Sequence, residues 1–323
     1  MKWWMKWGIT STLAYLPGGR ILHQKILRRF GELAHISAST RFGNTEILLD
    51  MARRWCGGVN RQRVVELGTG WVPAVPTGFG LAGAQVETFD VVPLVTDEIF
   101  FETRRLYTGR TGALSVASGT PEKIIRQRLQ QIEEAAGFTE SCHILGGRYL
   151  APFDTTSLPF DDGEIDLVVS NLVLQCIPKD ILPLILAESW RILKPRGIAL
   201  HRIWMSDEYA PDESSGRNQL EYLKYPEHIW ERWFNNSLKH VNRLRATQFL
   251  ELFSEQGFIC RECQRQIDYD SIPHLQQLNI AAPFKHLSLE ELATVGINVV
   301  LEKNPGWENQ PITSTNHECG SKY

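Results

Sequence analysis

The stretch V-V-E-L-G-T-G-W, residues 64–71, decides the reading of the fold. A β-branched run hands over to a turn holding Gly68 and Gly70, and helical character resumes behind it. Two glycines at such a handover let the backbone approach a ligand closely. Pro73 falls in the first turn of the coming helix, where a missing N–H costs little, and Pro76 is still near that start. The next β-rich run ends at Asp90, at the distance expected after one βα unit for a carboxylate that grips ribose hydroxyls. A ribose-bearing cofactor is implied. A dinucleotide fingerprint would place a third glycine where Pro73 stands, which weakens a nicotinamide reading, and no phosphate loop ending G-K-S/T is present.

Outward from this turn, short β-branched runs alternate with helical stretches, the pattern of a parallel sheet covered on both faces. The expected fold class is α/β, a doubly wound and mostly parallel Rossmann-like sheet. Strands are expected over Arg63–Leu67, Gln85–Val91, Cys142–Leu145, Ile165–Ser170 and Gly197–Ile203. Residues 207–245 interrupt the pattern with a Trp- and Tyr-rich, mostly helical insertion. A helix near Thr247–Gln256 then leads into strands over Phe258–Cys263 and Ile297–Leu301, so the sheet closes with a hairpin. The organisation read from this is an N-terminal helical lid (1–44), a cofactor-binding core (45–206), the insertion (207–245), the end of the core sheet (246–303) and a disordered tail (304–323).

The 323 residues are 43% hydrophobic, enough for one domain with appendages. A formal charge of -3 gives no basic footprint for nucleic acid. Six cysteines without regular spacing and no cleavable leader point to a reduced, cytoplasmic compartment. No uncharged run reaches the roughly 18 to 20 residues that span a bilayer. The N-terminus mixes Trp3, Trp4, Trp7 and Tyr15 with Lys2, Lys6, Arg20, Lys25, Arg28 and Arg29, a composition that suits either a lid or dimer surface or a peripheral membrane contact. A homodimer is therefore a candidate assembly. The single C-x-x-C, Cys260 and Cys263, reads as structural, and no His or Cys spacing supports a metal.

E-L-G-T-G with Asp90, followed by F-D-T-T-S-L-P-F-D-D-G-E-I-D-L-V-V-S-N-L-V-L at 153–174, resembles the motifs of class I S-adenosylmethionine-dependent methyltransferases in order and spacing. R-I-L-K-P-R-G-I at 191–198 resembles that family's entry into the fifth strand, with Arg196 replacing a glycine. The resemblance implies S-adenosyl-L-methionine as cofactor, held by Glu66, Gly68, Thr69, Gly70, Asp90, Val91, Asp154 and Asn171. In that scheme Asp90 takes the ribose, Asp154 the adenine amino group, and Glu66 with the glycine turn the methionine moiety. G-T-G-W and N-R-L-R (242–245) resemble a subgroup associated with glycan or secondary-metabolite genes. The subgroup's acids and histidines after the fourth and fifth strands are replaced here by Gln175, Cys176, Trp204 and Glu208, while His201 and Asp207 are kept.

Methyl transfer from a sulfonium is an in-line displacement, so the protein chiefly holds donor and nucleophile together and excludes water. A hydroxyl or poorly basic nitrogen also needs a proton acceptor. His201 is the first candidate, with Asp207 or Glu208 to orient it or act instead, although a lone histidine at a strand end is often structural. Gln175, Trp204, Tyr209 and Tyr222 are the expected lining of an acceptor pocket suited to a flat or apolar small molecule, such as an indole-alkaloid-type natural product methylated at O or N. The alternatives are a sugar or polysaccharide precursor as acceptor, a catalytically silent cofactor-binding relative, and an oxidoreductase.

Overall fold

The computed structural model describes residues 1–31, 40–210 and 215–307; most of the expected tail, and parts of the expected lid and insertion, lie outside the described residues. Within them, one sheet holds β1 (Arg63–Leu67), β2 (Gln85–Phe89), β3 (Arg148–Leu150), β4 (Ile165–Asn171), β5 (Leu193–Trp204), β6 (Phe258–Ile267) and β7 (Thr294–Lys303). The strand order is β3-β2-β1-β4-β5-β7-β6. Only β7 runs against its neighbours, pairing antiparallel with both β5 and β6, as the expected closing hairpin requires. The order reverses between β1 and β4, so a crevice opens at their carboxyl ends, where ligands of doubly wound folds collect.

Helices α1 (Trp3–Ala14), α2 (Gly19–Phe30) and α3 (Arg41–Cys56) precede the sheet. The lid boundary expected at 44/45 falls inside α3, and this needs correction: Leu48, Leu49 and Met51 are buried in the main core, so α3 belongs to the core. After β1 comes α4 (Ala74–Ala82), and after β2 come α5 (Asp97–Thr108), α6 (Thr111–Ser118), α7 (Glu122–Gln131) and α8 (Phe138–Ile144). The third strand expected at Cys142–Leu145 is thus helical, and β3 starts three residues beyond it. Phe138 and Cys142, four apart, both face the core, and Gly146 at φ 81° ends the helix. A four-residue apolar run does not by itself distinguish strand from helix.

The remaining helices are α9 (Leu182–Ile192), α10 (Glu227–Trp233), α11 (Ala246–Glu255), α12 (Ile272–Gln277) and α13 (Leu289–Ala293). On one sheet face Val64, Leu167, Val169, Leu200 and Val300 meet the helices preceding β1 and those between β1 and β3. On the other, Val65, Val168, Ala199 and Val299 meet α9 and α11. A third core joins Tyr209, Tyr222, Trp230 and Phe234 of the insertion to Leu275, Phe284 and Leu292. The insertion is less helical than expected; its described residues hold α10 and one 3-10 turn, Glu221–Lys224.

α1 docks on this third core. Trp3 and Trp7 pack against it, and Trp7 Nε1 donates to the Trp233 carbonyl at 2.6 Å. α2 turns instead toward the sheet, placing Leu27 against the main core and Arg28 3.5 Å from Glu98 at the start of α5. The corner between them admits only glycine at 19, where a Cβ would lie 1.8 Å from the Leu13 carbonyl oxygen. Trp4 and Tyr15 remain exposed. None of the described helices is long and apolar enough to cross a membrane.

Asn242, Arg243 and Arg245 fasten the insertion down. Asn242 Nδ2 donates to the carbonyls of Leu174 (2.8 Å) and Ile177 (2.9 Å), and Arg243 pairs with Glu227. Arg245, fully buried, donates to the carbonyls of Met205 (2.7 Å), Glu291 (3.2 Å), Leu292 (3.0 Å) and Thr294 and to the Tyr222 hydroxyl (2.8 Å). Arg245→Met would strand these acceptors, each costing about 1 to 3 kcal/mol when buried without a donor. The expected loss is on the order of 4 kcal/mol of stability, read as a lowered midpoint in urea denaturation; a shift within about 0.5 kcal/mol would show that the contacts contribute little.

Candidate active site

The glycine turn leaves β1 with both glycines in the left-handed region, φ 74° at Gly68 and 66° at Gly70. Gly68 and Thr69 donate to the Phe89 carbonyl at 2.8 and 3.2 Å, which folds the turn back over the end of β2. A Cβ on Gly68 would lie 2.6 Å from the Val173 side chain, whereas one on Gly70 would meet nothing within 4 Å. One glycine is required for packing, and the other faces open space at the mouth of the crevice.

Asp90 holds this turn. Its Oδ2 accepts from Gly70 N at 2.8 Å and its Oδ1 from Val92 N at 3.0 Å. Burial raises its pKa and the backbone donors oppose that rise. Val91 beside it is 65% exposed, an apolar surface at the carboxyl edge. Phe153 N donates to the Asp90 carbonyl at 2.8 Å, which brings Asp154 to the same edge. The exposed Asp154 carboxylate accepts from Thr156 N (2.9 Å) and Thr156 Oγ1 (2.8 Å). Glu66 lies deeper, fully buried, with Thr88 Oγ1 donating to it and Thr69 Oγ1 2.5 Å from that hydroxyl. Burial pushes the Glu66 carboxyl up to about 8. Asn171 ends β4 with its Oδ1 buried and without a partner.

All eight expected cofactor residues lie at or beside the carboxyl ends of β1 to β4, Glu66 beneath the surface and the others nearer the edge. The open space over Gly70, the unpartnered Asn171 oxygen and two carboxylates at the edge fit a ligand carrying ribose hydroxyls and positive charge. S-adenosylmethionine, when bound, supplies an activated methyl group there. Among the described residues no three His, Cys, Asp or Glu side chains group as metal ligands.

The acceptor side differs from the sequence expectation. His201 does not stand at the strand end: it lies inside β5, fully buried, its Nδ1 2.8 Å from Ser170 Oγ and its ring stacked on Phe253. Burial lowers its pKa to about 3, and Nε2 has no partner. A ring sealed beneath α11 reaches no acceptor, so the geometry opposes the general-base assignment. Asp207 is likewise corrected, being buried in an ion pair with Arg217 and accepting from Tyr209 N at 2.8 Å. Tyr209 and Tyr222 belong to the third core, donating to the carbonyls of Phe234 and Met205 (both 2.7 Å), and do not line a pocket. Gln175 is buried too, with its carbonyl accepting from Asn242 N at 2.9 Å.

Glu208 and Trp204 remain half-buried between the sheet edge and the insertion. Glu208 pairs with Lys239 at 3.1 Å, its Oε1 is 3.5 Å from Cys176 Sγ, and Lys6 of α1 donates to its carbonyl at 2.7 Å. Sequence reasoning missed Lys239, and it missed Arg202, a cation in the apolar run of β5. The signal for Arg202 was there, a break in the strand's hydrophobic alternation.

Asp90→Ala removes the brace on Gly70 and the carboxylate expected to take the ribose. Donor affinity is expected to fall about tenfold or more, since hydrogen bonds to a charged acceptor contribute roughly 1.5 to 3 kcal/mol each; titration calorimetry reads it, and unchanged affinity would remove Asp90 from the site. His201→Asn should leave kcat within about twofold, as a core residue does. The telltale is stability: below pH 6.5 the unfolded chain takes a proton that the folded ring refuses down to about 3. Wild type should lose about 2 kcal/mol on acidification to pH 5 that the variant keeps, measured by urea denaturation at both pH values; equal losses would reject this account.

Residues 129–201 match the family described as "Methyltransferase domain". No curated protein matches the sequence. Similar solved structures include an S-adenosylmethionine-dependent methyltransferase from Methanosarcina mazei, 12% identical over 76% of this chain and 93% of that one, TM-score 0.42. Another, from Mesorhizobium loti, is 15% identical over 79% and 100% of the two chains, TM-score 0.40. Phosphoethanolamine N-methyltransferase 2 of Haemonchus contortus, solved with S-adenosyl-L-methionine, is 13% identical over 87% and 60%, TM-score 0.45. Taken with the glycine turn, Asp90 and a parallel sheet closed by one antiparallel strand, the match over residues 129–201 supports a class I S-adenosylmethionine-dependent methyltransferase.

Proposed function

We propose that the acceptor is a small aromatic or hydrophobic natural product, methylated on oxygen or nitrogen in a reduced, cytoplasmic setting. The observation that carries this reading is the position of Trp204. It ends β5 at the carboxyl edge, half-buried against the third core that α1 covers. Gly296 stands opposite it, with its would-be Cβ only 3.1 Å from Trp204 Cε3, so the indole has room that a larger residue would take. A flat ring stacked there gains apolar burial and ring contact.

In this reading Glu208 receives the proton that the nucleophile loses. It keeps partial access to solvent, with 27% of its side chain exposed, and Lys239 fixes its carboxylate in place. The cofactor contacts of Glu66, Gly68, Thr69, Gly70, Asp90, Val91, Asp154 and Asn171 hold the donor in line, and α1 with the insertion excludes water.

Incubation with isotopically labelled methyl donor and matched panels of phenols, indoles and nucleotide sugars, read by mass spectrometry, tests the acceptor class. Label in the aromatic panel is expected; label in the sugars alone, or in neither, would overturn the proposal. Glu208→Gln should lower kcat about 10²-fold with donor affinity unchanged. Turnover within about twofold of wild type would leave catalysis to positioning alone.

A further inference from the structure

β5 carries the apolar stretch Ile198–Leu200 into the core and follows it with His201 and Arg202, the latter only 6% exposed. Its register neighbours are Asn171 on β4 and Asn298 on β7. Residues in register share a sheet face, here the face of Leu200 and Val300 that α3 covers. Arg202 Nε and Nη1, Asn171 Oδ1 and Asn298 Oδ1 are all buried without hydrogen-bond partners. No described carboxylate pairs with Arg202. Burial alone acts on the guanidinium, drawing it down to about 10, so it stays protonated at neutral pH. A buried cation without a counter-ion is strongly disfavoured, as is each amide oxygen left without a donor.

The row lies at the carboxyl edge, two strands from the glycine turn. At about 4.8 Å per strand, Arg202 stands roughly 10 Å from Gly68. Trp204, two residues further along β5, points to the same face. We propose that Arg202, flanked by Asn171 and Asn298, is an anion-recognition site that selects acceptors bearing a carboxylate or phosphate group. The guanidinium meets such groups in paired hydrogen bonds. Neither flanking amide oxygen takes a hydrogen bond from the guanidinium, which leaves its donors for the ligand, and Trp204 takes the ring that carries the anion. This rests on the methyltransferase reading and deepens it: the acceptor is an aromatic or apolar acid.

The donor has a carboxylate of its own, so the test separates the two sources. Benzoate and inorganic phosphate serve as probes against wild type, Arg202→Met and Arg202→Lys, each free and saturated with S-adenosylhomocysteine. The expected result is a saturable rise in wild-type Tm with benzoate, and an apparent Kd about tenfold or more weaker in Arg202→Met. Arg202→Lys should recover part of that loss, and S-adenosylhomocysteine affinity should stay within about twofold throughout. Removing an unpaired buried charge leaves the variant able to fold, and its ligand-free Tm should rise above that of wild type. Benzoate and phosphate that fail to shift wild type, or shift Arg202→Met equally, would overturn the proposal. So would a loss of S-adenosylhomocysteine affinity in Arg202→Met with the benzoate shift intact, which would assign Arg202 to the donor. Failure of wild type to bind S-adenosylhomocysteine would count against the methyltransferase reading instead, and the benzoate shift of the free protein would still decide the anion site.

Discussion

The guanidinium of Arg245 is the joint on which the acceptor side of the molecule hangs. It takes carbonyls from the end of β5, from α13 and from the start of β7, together with a hydroxyl of the insertion. The β5–β7 ladder already registers the two strands, and Arg245 ties the insertion and α13 to that edge. An arginine can bridge them because its five donors radiate from one rigid plane, and because carbonyls at strand and helix ends need donors when buried. Asn242 performs the same service for the turn after β4. The insertion therefore sits at a fixed height above the sheet edge, and Trp204 and Glu208 owe their positions to that height.

What could be read from the sequence follows from how local the governing physics is. The turn at Gly68 and Gly70 and the carboxylate at Asp90 end strands one βα unit apart, and the parallel β1–β2 register brings them together; the closing strands show in their own β-branched runs. The roles of His201 and Asp207 depend on what lies above them. Phe253 of α11 and Ser170 of β4 seal the histidine, and Arg217 of the insertion claims the aspartate. Neither partner is near in sequence. The helix at Cys142–Leu145 was illegible for a different reason, since its apolar run is too short to display a period. Tyr209 and Tyr222 were legible as aromatic, but their burial in a separate small core was not.

Electrostatics divides the site by depth. Glu66 and His201 are sealed, and both are drawn toward their neutral forms, one as an acid raised to about 8 and the other as a base lowered to about 3. Neither adds a fixed charge near neutral pH. At the edge, Asp90 and Asp154 place carboxylates where a ribose and an adenine amino group are expected. Arg202 is the exception, a charge held at depth with nothing to answer it. In a low-dielectric setting such a group acts more strongly on whatever enters than the same group would in water.

The glycine corner at residue 19 joins a helix seated on the insertion to one seated on the sheet edge. α1 packs on the third core while α2 approaches Asp90 and α5, and the two helices meet at a corner where the backbone of Gly19 lies against the Leu13 carbonyl. Two substrates that each settle one of these helices are then thermodynamically coupled: whatever factor the first lends to the affinity of the second, the second returns to the first. Ordered or random addition is then a matter of rates, whereas any such coupling is a free energy and is the same in both directions.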